Sequence, residues 1–194
     1  MSALFTAGAF RAVEMAAADI PALQQFFEAN PEYHLAITGA PPRPDEAQKE
    51  FDFAPPAGWP YEKRWLLKLI AEDGSIAGLA DVIANLFVAG VWHVGLFMVA
   101  TSLRGSGAAR ALYDALESWM RDGGARWLRL GVVLGNARAE RFWETAGYTE
   151  VRKRAGVEMG AQVNTLRVMA KPLAQADWAA YLASVPRDRP DGES

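Results

Sequence analysis

The sequence of 194 residues contains no cysteine and only two histidines, His34 and His93. The absence of cysteine excludes a disulfide framework, a zinc–thiolate site, an iron–sulfur cluster and a thiol nucleophile. Two histidines are too few for a histidine-rich centre, so we predict no metal site. The formal net charge is only −3, so no basic field surrounds the protein, and nucleic acid is not an expected partner.

Signals for export and membrane insertion are also missing. The N-terminus lacks a basic region followed by a sufficient apolar run, so we read no signal peptide and expect a cytoplasmic protein. Residues 82–103 contain no Asp, Glu, Lys or Arg and are long enough to span a bilayer. Gly90 and Gly95 interrupt this stretch, and two buried strands joined by a tight turn at Gly90 explain it better. We therefore predict no membrane span.

The remaining pattern predicts one α/β domain with a mixed sheet. Alternating or continuously apolar runs typical of strands cover 9–15, 64–72, 75–87, 91–100, 126–134, 148–155 and 163–171. Helical patterns cover 19–30, a short segment from Pro44, 105–121, 137–146 and a short segment around Trp178 and Tyr181. We assign residues 1–171 to the domain, with 31–61 as a folded lid or pocket wall, and residues 172–194 to a C-terminal segment with a polar tail.

A glycine-rich loop at the start of the long helix is the strongest local signal. Its residues are Arg104, Gly105, Ser106, Gly107, Ala108 and Ala109. Unpaired N–H groups at a helix N-terminus bind anions, and glycines let the backbone approach a phosphate closely. The loop therefore predicts a pyrophosphate cradle, and the alternative is a helix start with surface arginines. A nicotinamide or flavin site is disfavoured because Arg110 occupies the third glycine position of the dinucleotide pattern.

Together with a second segment downstream, this loop resembles the GCN5-related N-acetyltransferase (GNAT) superfamily. The loop matches the R/Q-x-x-G-x-G/A element of that family at Arg104, Gly107 and Ala109. The second segment matches its N-x-x-A-x-x-F-[YW]-x-x-x-G-[FY] element. The matching residues are Asn136, Ala139, Phe142, Trp143, Gly147 and Tyr148. The resemblance covers residues 62–171 and extends upstream to residue 9.

The resemblance implies a mixed, splayed central sheet of about six to seven strands, flanked by about four helices. Acetyl-CoA would lie between strands 91–100 and 126–134. Its pantetheine arm would run along Phe97, Met98 and Val99, and its pyrophosphate would bind the amides of 104–109. Asn136 is expected to cap a helix, to contact the CoA arm, or both, and Trp143 to pack against the thioester.

The resemblance also implies that an amine attacks the thioester directly, with the main-chain N–H of Phe97 stabilising the oxyanion. His93 lies eleven residues before Arg104, where histone-acetylating members carry a glutamate, so we consider it as the general base. The alternative is a packed histidine that hydrogen-bonds to backbone. We name no general acid, because Trp143 replaces the tyrosine of many members and an indole N–H has no accessible acid pKa.

The identity of the acceptor is the least constrained part. By position in the family, 31–61 would form the acceptor side, and we predict substrate contacts from Tyr33, His34 and Asp81. Other candidates for the pocket wall or an ammonium site are Glu32, Asp52, Trp59 and Tyr61.

The leading hypothesis is an acetyl-CoA-dependent N-acetyltransferase for a primary amine of a small molecule or short peptide. The alternative is an acyl-CoA sensor of the same fold without turnover. A homodimer through an exposed Trp178 and Tyr181 is a further expectation.

Overall fold

In the computed structural model, which describes residues 2–175 and 177–190, eight strands and six α-helices follow one another along the chain. The strands are β1 (Phe5–Ala7), β2 (Phe10–Glu14), β3 (Lys63–Ile70), β4 (Ile76–Ala84), β5 (Val91–Val99), β6 (Trp127–Val133), β7 (Thr149–Met159) and β8 (Gln162–Pro172). The helices are α1 (Ile20–Ala29), α2 (Glu32–Thr38), α3 (Glu46–Asp52), α4 (Ala108–Asp122), α5 (Ala137–Thr145) and α6 (Trp178–Ser184). Short 3-10 turns lie at Ala17–Asp19, Thr101–Leu103 and Pro186–Asp188.

All eight strands form one sheet in the order β1-β2-β3-β4-β5-β6-β8-β7. Every neighbouring pair is antiparallel except β5 and β6, which are parallel. The predicted mixed α/β fold is confirmed, but its element counts were too low. The extra strand is the short β1, and α2 lies in the segment 31–61, for which we predicted only one short helix from Pro44.

Helices cover both faces of the sheet. The apolar side chains of α4 and α5 pack on one face with Trp92, Val94 and Leu128, while α1 and α3 cover the other face over Leu66 and Leu79. The helix α4 begins at Ala108 rather than at the predicted Gly105, because the two loop glycines have left-handed backbone angles. Its buried residues keep helical spacing and are Leu112, Tyr113, Leu116, Glu117 and Met120.

The sheet opens between its two parallel strands. Residues 91–94 of β5 pair with 127–130 of β6, and beyond that point the two strands diverge. Gly95 is the unpaired residue of a bulge, since Val94 pairs with Val82 and Leu96 with Asp81 of β4. A Cβ atom at Gly95 would lie 2.6 Å from the Asp81 carboxylate, so a larger residue would have to displace that side chain from its ion pair with Arg64. The sequence therefore places a glycine where the strand bends away from its parallel neighbour.

The apolar stretch 82–103 contributes to β4 and forms β5, with a turn at Gly90 where φ is +84°. This confirms the strand–turn–strand interpretation. In the described part of the chain, no helix is long and apolar enough to cross a membrane.

The C-terminal segment packs into the fold instead of forming the predicted polar tail. Tyr181, which we expected to be exposed for dimerisation, is only 1% exposed and packs with Val91 and Ala170. Asp188 is completely buried. Both expectations are therefore wrong for the segment up to Pro190, and the last part of the predicted tail, 191–194, lies outside the described residues.

Candidate active site

A cleft runs through the opening between β5 and β6 and consists of two adjoining cavities. The larger has a volume of about 700 Å³ and lies towards the start of α4. The smaller has a volume of about 310 Å³ and lies between the two strands and the β7–β8 hairpin. Five residues line both cavities: Tyr33, Phe97, Asn136, Ala139 and Trp143. A ligand in one cavity would therefore meet a ligand in the other beside these residues.

The main chain of β5 offers unpaired hydrogen-bonding groups to the larger cavity. The N–H of Ala100 donates to Ala77 O at 2.8 Å, so this residue turns its backbone towards the β4 side. Backbone direction alternates along an antiparallel pair, so the N–H groups of Phe97 and Val99 point away from β4. Because β6 has already diverged, these two groups face the cleft and need another partner.

The loop between β5 and α4 adds further free donors. Gly105 and Gly107 have φ angles of +75° and +82°, and a Cβ atom at either position would meet open space. Within the described chain, the N–H groups of Gly105, Gly107 and Ala109 have no hydrogen-bond acceptor. The side chain of Ser106 accepts from Ala108 N at 3.2 Å and so caps the helix. The loop therefore presents alternate amides to solvent at the positive end of α4.

Three arginines line the larger cavity: Arg104, Arg138 and Arg141. Arg104 forms an ion pair with Glu32 at 3.3 Å, which places Glu32 in this cavity and not on the acceptor side as we considered. The sequence analysis assigned no role to Arg138 and Arg141, which lie on α5 after Asn136. Arg110, on the first turn of α4, does not line the cavity and forms an ion pair with Asp114 at 2.8 Å.

Aromatic side chains form the floor where the two cavities meet. Phe97 stacks on Phe142 with ring centroids 5.9 Å apart, and Trp143 packs edge-on against Tyr113 at 5.2 Å. Trp143 is only 8% exposed. Asn136 caps α5, since its side chain accepts from Ala139 N at 3.3 Å, and it also lines both cavities. The predicted capping role of Asn136 is therefore confirmed.

The smaller cavity is mostly apolar and is assembled from distant parts of the chain. Of the predicted acceptor-side residues, Tyr33 and Trp59 line it. Its apolar wall comes from α2, β5, β6, β7 and β8, and includes Ile37, Leu96, Leu130, Val132, Met159 and Val168.

Two predicted substrate contacts are not at the site. His34 is 5% exposed and packs edge-on against Phe27 at 4.8 Å, and burial lowers the pKa of its imidazole. Asp81 is 2% exposed and accepts from Arg64 Nε at 2.7 Å. Neither residue lines a cavity of the cleft. Asp81 instead supports the Gly95 bulge, while the remaining candidates Asp52 and Tyr61 are exposed away from the cleft.

His93 lines the smaller cavity, as its count from Arg104 suggested, but it is a poor base. Burial and the charge of Arg129 lower the pKa of His93 to about 3. Arg129 Nη1 lies 3.4 Å from His93 Nδ1. Because a guanidinium only donates, a hydrogen bond between them leaves the imidazole proton on Nε2. This low pKa favours the alternative of a packed, hydrogen-bonded histidine over a general base, and His93 is neutral at physiological pH.

The model of the acetyltransferase (GNAT) family matches residues 23–148. The chain belongs to the GNAT family of acetyltransferases. Among solved structures, a GNAT enzyme from Kribbella flavida is 26% identical, has a TM-score of 0.63 and aligns over 87% of this chain and all of its own. A search among curated proteins finds no match.

Two other solved structures show that the GNAT fold of this chain is shared by enzymes with different acceptors. The ribosomal-protein-S18-alanine N-acetyltransferase from Escherichia coli is 19% identical, with a TM-score of 0.63 over 87% of this chain and 96% of its own. A spermidine N-acetyltransferase from Vibrio cholerae, solved with CoA and spermine, is 14% identical, with a TM-score of 0.63 over 85% of this chain and 96% of its own. At these identities the likeness concerns the fold alone.

A buried ion pair that the sequence analysis missed holds Arg129, one of the residues that line the smaller cavity. Arg129 donates to both oxygens of Asp188, at 2.7 and 2.8 Å, and the Tyr181 hydroxyl donates to the same carboxylate at 2.7 Å. Burial alone would raise the pKa of Asp188, but Arg129 and Tyr181 hold it below its ordinary value. No sequence signal distinguished Asp188 from its polar neighbours, because its partner lies 59 residues away.

Proposed function

We propose that this protein is an acetyl-CoA-dependent N-acetyltransferase that acts on a primary amine of a small molecule or short peptide. The observation that carries the proposal is a set of unpaired main-chain donors, of which those of Phe97, Val99 and Ala109 belong to the lining of the larger cavity, while Gly105 and Gly107 lie in the loop beside it. Amides without partners need acceptors, and the carbonyl groups and phosphates of CoA supply them. Membership of the GNAT family supports the same donor.

The residues of the larger cavity fit each part of CoA. The amides of Phe97 and Val99 would hold the pantetheine arm, and those of Gly105, Gly107 and Ala109 would hold the pyrophosphate. Met98, Ser106 and Ala108 belong to the same two segments and contribute mainly by shaping them. Arg104, Arg138 and Arg141 would add charge-assisted hydrogen bonds to phosphate oxygens.

Acetyl-CoA supplies an activated thioester carbon that an amine attacks, with release of the CoA thiolate. The N–H of Phe97 would donate to the oxygen that gains charge, because it faces the point where the cavities meet. Trp143 would pack against the reacting groups and exclude water without acting as an acid. A protein acid is not essential, since a thiol has a pKa of about 8.5 and its thiolate is a good leaving group.

The amine would be bound with its proton already lost. Arg129 and Arg154 line the smaller cavity, and their positive charge disfavours a bound ammonium relative to the neutral amine. His93, neutral and bonded to Arg129, would then position the acceptor instead of removing its proton. No Asp or Glu of the described residues lines this cavity, so the proton released after attack would pass to water at the cleft mouth.

Calorimetry with acetyl-CoA and an assay of free thiol with a panel of primary amines test the proposal together. Heat on binding acetyl-CoA, followed by thiol release that depends on an amine, is the expected result. Binding without release over the whole panel would favour the sensor alternative. If no heat is detected for acetyl-CoA or CoA, the proposal is wrong.

A further inference from the structure

The smaller cavity carries a positive charge that its own protein does not fully balance. Its lining includes two arginines, Arg129 and Arg154, and a neutral histidine, but no carboxylate among the residues that the structure describes. Asp188 balances Arg129, and it is completely buried behind that guanidinium. Arg154 is therefore left as an uncompensated charge at the wall of a mostly apolar cavity.

Arg154 has no hydrogen bond or ion pair with any described residue. It lies on β7 opposite Leu166 of β8, and Leu166 also lines the smaller cavity. Its neighbour Lys153 points to the other face of the strand, where it pairs with Glu150 at 3.7 Å. Lys153, outside the cavity, therefore has a carboxylate partner, whereas Arg154, which lines the cavity, has none among the described residues.

A third arginine stands behind the same wall. The guanidinium of Arg187 lies 4.1 Å from the ring centre of Trp59, which lines the cavity, and its Nε atom is buried without a hydrogen-bond partner. Burial lowers the pKa of Arg187, and the charges of Arg154 and Arg129 lower it further. Arg154, Arg129 and Arg187 therefore repel one another, and an anion bound at Arg154 would be stabilised by all three positive charges.

Resting on the proposed acetyl transfer, we propose that the acceptor is a small amine with an anionic group, which Arg154 binds, and an apolar body. A cavity of about 310 Å³ suits a molecule the size of an amino acid. Its apolar wall fits a hydrophobic side chain, and an arginine fork suits a carboxylate. The expected class is therefore hydrophobic amino acids, in contrast to the cationic acceptor that the net charge of −3 would favour.

Matched pairs of acceptors with and without the carboxylate test this class. The pairs are L-phenylalanine with phenethylamine, L-leucine with isoamylamine, and L-methionine with 3-(methylthio)propylamine. With acetyl-CoA, we expect kcat/KM to be higher for the amino acids by about tenfold to hundredfold, the effect of one charge-assisted contact. Arg154→Gln should remove this preference, while Lys153→Gln, which removes one charge from the neighbouring position, should keep it.

The acceptor class is overturned if wild-type protein prefers the decarboxylated amines, or if Arg154→Gln leaves a carboxylate preference unchanged. Calorimetry of N-acetyl-L-phenylalanine with CoA-loaded protein separates this result from failure of acetyl transfer itself. Binding that Arg154→Gln weakens, without turnover of any amine, would keep the anionic subsite and refute the acetyltransferase proposal. Turnover of amines without any carboxylate preference would support the acetyltransferase proposal and refute the anionic subsite.

Discussion

The two cavities of the cleft are built in different ways, although they share five residues. The larger one presents backbone amides from a single stretch, 97–109, with side chains of α5 opposite. The smaller one is walled by side chains from α2, the segment around Trp59, β5, β6 and the β7–β8 hairpin, and the C-terminal segment supports it from behind. The first uses local chain geometry, and the second depends on the whole tertiary fold.

This difference explains why sequence motifs point to the segment beside the larger cavity and not to the lining of the smaller one. A backbone cradle needs glycines at fixed spacing, because only they adopt the left-handed angles of Gly105 and Gly107 without strain. Almost any side chain of suitable size and charge can wall an acceptor cavity. Acceptor specificity can therefore change through residues such as Arg154 while the cofactor segment keeps the same pattern.

The largest expected effect is on protein stability, and it tests how far the smaller cavity depends on the distant C-terminal segment. Asp188→Ala leaves the Arg129 guanidinium, 4% exposed, without its carboxylate. We expect a loss of about 3–5 kcal/mol in the free energy of unfolding, measured by urea titration, because an unpaired buried charge is costly. Asp177→Ala, which removes only the cap that accepts from Ala180 N at 3.1 Å, should cost about 1 kcal/mol.

The double variant Arg129→Met/Asp188→Leu should recover most of that loss, since it removes both charges. Equal destabilisation by Asp188→Ala and Asp177→Ala would show that the buried pair does not stabilise the smaller cavity.

The next effect is on the affinity for acetyl-CoA and concerns the loop beside the larger cavity. Gly107→Val forces a branched side chain onto a φ angle of +82°, so the loop must change and its amides turn from the cleft. We expect the Kd of acetyl-CoA to rise by tenfold or more, roughly the loss of one charge-assisted contact or greater, in calorimetry. Gly124→Val, at φ of +100° beyond the other end of α4, carries similar strain and should leave this Kd unchanged. If Gly107→Val and Gly124→Val weaken acetyl-CoA binding equally, the loss comes from general destabilisation and not from the loop.

A smaller effect, on kcat, is expected at His93 in the smaller cavity. His93→Gln should lower kcat by less than about tenfold, whereas loss of a general base commonly costs about 10²–10⁴-fold. The reason is that an imidazole with a pKa of about 3 has no basicity to lose near neutrality. The dependence of kcat on pH should be the same in both proteins between pH 5.5 and 8. A large fall in kcat, with loss of an ionisation near 6.5, would restore His93 as the base.

The smallest effect lies beneath the acceptor wall, where Arg64 bonds both Glu50, at 2.9 Å, and Asp81. Burial and the charge of Asp81 raise the pKa of Glu50 to about 7, against the opposing effect of Arg64. The folded protein therefore holds this proton more tightly than the unfolded chain, whose glutamates titrate near a pKa of about 4.3. Its stabilising contribution is full below that value and is lost as the pH rises through 7.

Glu50→Gln should consequently flatten the fall of unfolding free energy between pH 5 and pH 8, by an amount on the order of 1 kcal/mol. Glu28→Gln, an exposed change on α1, is the control and should leave the slope as it is in the wild type. A steeper slope in Glu50→Gln would contradict the raised pKa.

Predictions from the sequence were correct where the interactions lie within a few residues, and they failed where distant segments come together. The cap that Asn136 forms acts within one helical turn and was predicted correctly from the residue type. The left-handed angles of Gly105 and Gly107 are equally local, and the pyrophosphate cradle inferred from these glycines stays a prediction. His34 and Asp81 were wrongly assigned to the acceptor, because exposure depends on what packs over a residue and the sequence shows only its type. Arg138 and Arg141 were missed because an exposed helix face and a cavity wall have the same composition.

By itself, the sequence determined where the glycines stand, and these permit the left-handed angles of Gly105 and Gly107 before α4 and the bulge at Gly95 in β5. The start of α4 at Ala108 and the free N–H groups of Phe97 and Val99 became apparent only in the structure. These features follow from backbone sterics and hydrogen-bond alternation, which act over a few residues. Only the tertiary structure decided the charge of the smaller cavity, the low pKa of His93 and the burial of Asp188. Electrostatic energy depends on distance in space and on exclusion of water, and both arise when distant segments such as β6 and the C-terminal 3-10 turn pack together.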